Sequence, residues 1–256
     1  MSSKAIALRA VAAIFTDFDP KAAEELLAAD YIQHNESVPT GAAPILGFIP
    51  ALQESGIEVE IHRVISEGDL VVLHSTYNRA QAFGAERLVG FDVFRVEGGR
   101  VAEHWDNLTP EAAPNPSGRT QVDGETKIRD LDKTAANREL VSDFVNTVLQ
   151  DGVVQRVAEF ISPETYIQHN SAIADGLDGF GSALAAWAEQ GITMQYDEVH
   201  LVVAEGNFVF TGSEGKLAGE ATAFYDLFRI EGGKIVEHWD VISAIPSEMA
   251  HSNGKF

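Results

Sequence analysis

The chain has no cysteine. This excludes disulfides, thiolate metal sites and cysteine nucleophiles. It is also poor in basic residues: 18 Lys and Arg stand against 39 Asp and Glu, a formal net charge of −21 over 256 residues. That sign repels nucleic-acid phosphates and anionic membrane surfaces, so neither is expected as a partner. No apolar run approaches the roughly 18 residues of a membrane span. No glycine-rich phosphate loop, GxSxG elbow or HExxH pair occurs. The N-terminal stretch Met1–Phe15 carries apolar residues at helical spacing around Arg9 and lacks a signal-peptide core and cleavage site, so a cytoplasmic location is expected. The 45% hydrophobic content is ample for a packed core.

What the chain does have is a copy of itself. Tyr31-Ile32-Gln33-His34-Asn35 recurs as Tyr166-Ile167-Gln168-His169-Asn170, and the block beginning at Asp92 (DVFRVEGGRVAEHWD) recurs at Asp226 (DLFRIEGGKIVEHWD). Ten of the fifteen positions in the second block are identical. Two blocks in the same order at nearly the same offset identify a tandem duplication. The boundaries read as domain 1 over 1–111, a Pro/Gly/Ser-rich linker over 112–131, domain 2 over 132–248 and a polar tail over 249–256.

Within each repeat, helical periodicity comes first and strand alternation later. In repeat one, helices are expected over 4–16, from Pro20 to about Ala29, and over 42–55. Strands are expected over 57–66, 69–80, 86–97 and 100–109. The paired glycines Gly98-Gly99 and Gly232-Gly233 mark hairpin turns. Helices followed by antiparallel strands predict an α+β fold, with helices packed on one face of a curved sheet.

The repeated Tyr-Ile-Gln-His-Asn segment and the terminal hairpin Phe94–Asp106, with its copy Phe228–Asp240, resemble the NTF2-like superfamily. Within it they resemble the SnoaL-like group of polyketide cyclase and aldol-condensation proteins. The resemblance implies two tandem cone-shaped domains, each enclosing a largely apolar pocket that works without metal or organic cofactor on a small apolar ligand or substrate. It also implies pairing through the sheets, as an intramolecular pseudo-dimer or a homodimer.

Strand alternation then puts His104 and Asp106 on one face with Trp105 on the other, and His238 and Asp240 on one face with Trp239 on the other. On this reading Asp106 and Asp240 are the acid/base groups, His104 and His238 their partners, and His34 and His169 polarise a substrate oxygen. Tyr31, Asn35, Tyr166 and Asn170 are candidate substrate contacts. So is His74 in repeat one, whose counterpart is Gly212. The expected function is acid/base chemistry on a carbonyl compound, of the cyclase, aldol, isomerase or dehydratase type; the alternative is a non-catalytic small-molecule-binding module. A steroid-isomerase-like pattern needs a second pocket acid, which the sequence does not locate. An epoxide-hydrolase-like pattern needs an Asp-Arg-Asp set, and nothing in the sequence places Arg95 or Arg79 beside Asp106.

Overall fold

The computed structural model describes all 256 residues. The chain divides into two units, Met1–Glu111 with Pro246–Phe256, and Ala112–Ile245. The tail therefore belongs to the first unit and the linker to the second.

Unit 1 begins with α1 (Ser3–Phe15), capped by the Ser2 hydroxyl, which accepts from the Ala5 N–H. Its buried face, Ile6, Ala10, Val11 and Ile14, has the spacing of one helical stripe. α2 (Pro20–Leu26) follows, with Pro20 in its first turn and Asp19 accepting from the Lys21 and Ala22 N–H groups. α3 (Ala42–Ser55) ends on Gly56 in the left-handed region, at φ 67°.

Five strands form one sheet: β1 (Leu27–Gln33), β2 (Glu58–Glu67), β3 (Leu70–Asn78), β4 (Arg87–Glu97) and β5 (Arg100–Pro110), in the order β1-β5-β4-β3-β2. Only the β1–β5 pair is parallel. Helical periodicity alone extends the second helix to about Ala29. In the fold it ends at Leu26, and the next residues pair with β5, because Leu27 and Tyr31 are buried by leaving the helix.

Unit 2 repeats the plan. α4 (Thr134–Phe144) runs into a wider helical turn at Val145–Gln150, and its apolar stripe Val141, Phe144, Val145 and Val148 is buried. Then come α5 (Val157–Phe160), β6 (Ile167–Gln168), α6 (Gly176–Glu189), β7 (Met194–Glu205), β8 (Phe208–Leu217), β9 (Glu220–Glu231) and β10 (Lys234–Ala244). The strand order β6-β10-β9-β8-β7 copies unit 1, again with one parallel pair.

The β4–β5 and β9–β10 turns are Gly98-Gly99 (φ 58° and 83°) and Gly232-Gly233 (φ 59° and 75°). Two consecutive residues in that region give the hairpin the turn that matches strand twist. A bulge just past each turn then shifts the register by one residue.

Candidate functional site

In unit 1 the helices and the inner sheet face line a small, largely apolar cavity. Apolar side chains from the helices, including Val11, Ile14, Phe48 and Leu52, form its roof. Alternation along the strands supplies a polar floor: Tyr31 and Gln33 from β1, Asn35 just beyond it, Asp92 from β4, and His104 and Asp106 from β5.

These groups form one hydrogen-bond network. The Asn35 side-chain N–H donates to Asp106 Oδ2 at 2.6 Å. The Tyr77 hydroxyl donates to Asp92 Oδ2 at 2.7 Å. His104 lies between Gln33 Oε1, 2.9 Å from its Nδ1, and Asp92 Oδ1, 3.1 Å from its Nε2. Gln33 Oε1 also accepts from the His34 and Asn35 backbone N–H groups. A carbonyl oxygen only accepts, so His104 Nδ1 carries a proton. The Gln33 amide N–H donates to the hydroxyl of Tyr31, which lines the cavity, at 3.4 Å.

Burial dominates the electrostatics. It raises the Asp106 pKa; His104 and Lys255 oppose the rise, Asp92 adds to it, and the Asn35 hydrogen bond opposes it. Burial, then the charges of Asp106 and Asp92, raise Tyr31 well above the usual phenol range, so it remains a neutral donor.

Unit 2 reproduces the floor around a second, smaller cavity. Asn170 donates to Asp240 Oδ2 at 2.7 Å, and His238 bridges Gln168 Oε1 and Asp226 Oδ1, each at 3.0 Å. Burial is the main cause that pushes Asp240 up to about 6; Asp226 assists, while His238, Asn170 and His169 oppose. For His238, burial works against the charged form, but the hydrogen bond to Asp226 and the charges of Asp240 and Asp226 outweigh it, and its pKa is raised. Tyr166 is raised too, again mainly by burial.

Asp92, His104 and Asp106 each bring one potential ligand atom within 4.8 Å of the others, as do Asp226, His238 and Asp240. In unit 1 the Tyr77 O–H and the Asn35 N–H each donate to the Oδ2 oxygen of one of these carboxylates.

The structure brings Tyr31, Asn35, His104 and Asp106 together, and likewise Tyr166, Asn170, His238 and Asp240. It does not bring His34, His169 or His74 to either cavity. Alternation along β1 turns His34 to the other side of the sheet. There it stacks on Trp105 at 5.0 Å and contacts Glu103 Oε1 and Gly254 O, each at 2.9 Å. His169 stacks on Trp239 at 4.7 Å and contacts Glu237 at 3.0 Å. His74, on the outer face of β3, stacks on Phe91 at 4.4 Å with the Arg63 guanidinium at 3.2 Å. Gly212 does occupy the equivalent strand position, since His74 pairs with Phe91 and Gly212 with Tyr225. Arg95 binds Glu103 and Glu97, and Arg79 binds the Gly56 carbonyl and Glu58, so no Asp-Arg-Asp set forms.

Sequence reasoning missed Asp92 and Asp226, the second pocket acids, and their donors Tyr77 and Tyr196. Asp92 pairs directly with Asp106 across the hairpin only because the bulge after Val101 shifts the register by one; an unbulged hairpin puts Trp105 opposite it. The available signal was the repeat itself, since both acids open the duplicated block.

Among solved structures, TsrD from Streptomyces laurentii is 20% identical, with 41% of this chain and 85% of that chain covered, at a TM-score of 0.35. IdmH, a putative polyketide cyclase from Streptomyces antibioticus, is 17% identical, with 42% and 92% covered, at 0.35. An LEH-like epoxide hydrolase from M. tuberculosis is 20% identical, with 41% and 76% covered, at 0.33. No curated protein matches the sequence. The SnoaL-like domain profile matches twice, over residues 8–104 and 141–238, which together make up more than half of the chain. The chain therefore belongs to the SnoaL-like family, as a tandem protein with one NTF2-like domain in each half.

Proposed function

We propose that each cavity abstracts a proton from carbon next to the carbonyl group of a small, largely apolar compound, without a cofactor. The observation that carries this reading is a carboxylate, Asp106, buried at the floor of an apolar cavity, raised in pKa, and held by a single Asn35 hydrogen bond. Burial makes it a stronger base than a solvated aspartate, and a base tuned toward neutrality is the efficient choice. The Asp106 carboxylate takes the proton, and the electron pair of the C–H bond moves onto the carbonyl oxygen. The Tyr31 hydroxyl then donates to that oxyanion. Asp106 returns the proton at another carbon (isomerisation), or the enolate attacks a second carbonyl within the same molecule (aldol cyclisation). His104, fixed by Gln33 and Asp92, places positive potential beside the carboxylate. Asp240, Tyr166 and His238 have the same roles in the second cavity. The two acids with a tyrosine per cavity support the isomerase-like variant over the hydrolytic one.

The test is exchange of α-protons into D₂O, followed by proton NMR, for a panel of cyclic ketones and β-diketones. The wild-type chain is expected to accelerate exchange for some members. The double variant Asp106→Asn/Asp240→Asn is expected to lose about 10²–10⁴-fold of that acceleration. A panel with no acceleration, or a double variant that retains it, overturns the reading in favour of a binding module.

A further inference from the structure

The loop after β1 is clasped in both units by a segment remote in sequence, and the two clasps share their chemistry. In unit 1 the clasp is the C-terminal tail. Asn253 donates to the Gln33 carbonyl at 2.9 Å and to Thr40 Oγ1 at 3.0 Å. The Gly254 carbonyl lies 2.9 Å from His34 Nδ1, His251 Nε2 contacts the Asn35 carbonyl at 2.9 Å, and Lys255 binds Glu36 at 2.8 Å.

In unit 2 the clasp is the segment after β5. Asn115 donates to the Gln168 carbonyl at 2.6 Å and to the Ile173 carbonyl at 2.8 Å. The Thr120 carbonyl lies 2.7 Å from His169 Nδ1, and Arg119 binds Asp175 at 3.0 Å. Gln168, His169 and Asp175 are the repeat counterparts of Gln33, His34 and Thr40. Each clasp thus puts an asparagine on the same carbonyl, a carbonyl oxygen on the same imidazole, and a basic side chain on an acid of the same loop. Gly124 has no room for a side chain: a Cβ there runs into Glu237, Trp239 and His169. The clasps are also exchanged, because each is the stretch of chain that leaves the last strand of the other repeat.

We propose that Asn253 and Lys255 are positioning residues of the unit 1 site, and Asn115 and Arg119 of the unit 2 site, so that each pocket is completed by the chain end belonging to the other repeat. They act through the loop backbone. In unit 1, Asn253 holding the Gln33 carbonyl and Lys255 holding the Glu36 carboxylate from outside keep the Gln33 amide on His104 and the Asn35 amide on Asp106 inside. Unit 1 has one feature more. The Lys255 ammonium is buried, with 3% of its side chain exposed, and its charge acts on Asp106. No clasp lysine or arginine acts on Asp240 in this way. The groups acting on Asp106 are His104 from β5, Asp92 from β4, Asn35 from the loop and Lys255 from the tail.

This inference rests on Asp106 being the acting carboxylate, but its test reads the carboxylate directly, so it survives or fails apart from the activity. Carbon-13 NMR of aspartate-labelled full-length protein follows the Asp106 and Asp240 titrations. Lys255→Met is expected to move the Asp106 midpoint up by about half a pH unit or more and leave Asp240 unmoved; Lys255→Arg is expected to restore it. In a chain ending at Met249, the same upward shift is expected to be reversed by adding the synthetic peptide Ala250–Phe256, with saturable binding by calorimetry. An unmoved Asp106, equal shifts of both aspartates, or no peptide binding to the shortened chain overturns the proposal. If the shortened chain does not fold, the Lys255 pair decides.

Discussion

Asp240 offers a stability experiment whose sign is fixed by the structure. Its carboxyl is pushed up to about 6 in the folded chain, against 3.8 for an unperturbed aspartate, mainly by burial. A raised acid favours folding at low pH, where both states are protonated. That advantage is lost as pH rises through the folded pKa, because the unfolded chain ionises more readily. The full difference of about two units corresponds to ~3 kcal/mol. Because the unfolded carboxyl is already ionising near pH 4.5, about 2 kcal/mol of it falls between pH 4.5 and 8. Asp240→Asn removes the titration while leaving an oxygen to accept from Asn170. Relative to wild type, the variant is therefore expected to gain about 2 kcal/mol between pH 4.5 and 8. At roughly 2–4 °C per kcal/mol this is a relative gain of some 4–8 °C in melting temperature. Scanning calorimetry of both proteins at several pH values measures it. Any constant offset from the altered hydrogen bond cancels in the pH dependence. A difference between the two proteins that stays flat, or falls as pH rises, refutes the buried-carboxylate argument.

Two further outcomes follow from matched positions in the repeats. Arg229 and Glu237 form a pair whose side chains are 11% and 1% exposed, against 27% and 15% for Arg95 and Glu103. Arg229→Ala strips a buried carboxylate of a partner and is expected to cost about 3–5 kcal/mol, with Arg95→Ala costing clearly less because water reaches its partner; urea titration of each variant ranks them, and equal losses count against the burial argument. Tyr77→Phe leaves Asp92 Oδ2 without its donor and is expected to cost about 1–3 kcal/mol. Adding Val59→Tyr and replacing residue 77 by glycine is expected to recover part of that loss, and no recovery refutes the geometric equivalence of the two tyrosine positions.

The duplicated blocks, the β4–β5 hairpin and the facing of His104, Trp105 and Asp106 were legible because each depends on local alternation or on exact repetition. β1 was not, because its partner is the distant strand β5, and a short stretch that pairs in parallel has no hairpin turn to announce it. Its loss cost the facing of His34: without the strand there was no alternation to show that Gln33, not His34, points inward. The tail at 249–256 read only as polar, because its contacts are hydrogen bonds to backbone carbonyls, to one imidazole and to one carboxylate, which leave no hydrophobic pattern.

The tyrosine that serves the second acid shows what the fold is obliged to supply. In unit 1 Tyr77 stands on β3 opposite Val59 and donates to Asp92. In unit 2 the place of Tyr77 is taken by Gly215: Tyr77 pairs with Leu88, and Gly215 with its repeat counterpart Thr222. No side chain fits at 215, because a Cβ there runs into the Gln195 carbonyl. The ring has moved to the neighbouring strand instead. Tyr196 stands opposite Gly215, where Val59 stands in unit 1, and its hydroxyl reaches Asp226 at 3.2 Å. A ring that merely filled space would not need to place its hydroxyl on the same carboxylate from a different strand. A buried carboxylate facing an imidazole, with its outer oxygen otherwise bare, does need a donor there. The carboxylate–imidazole pair is therefore the constrained element, and the tyrosine is the part that adapts to it.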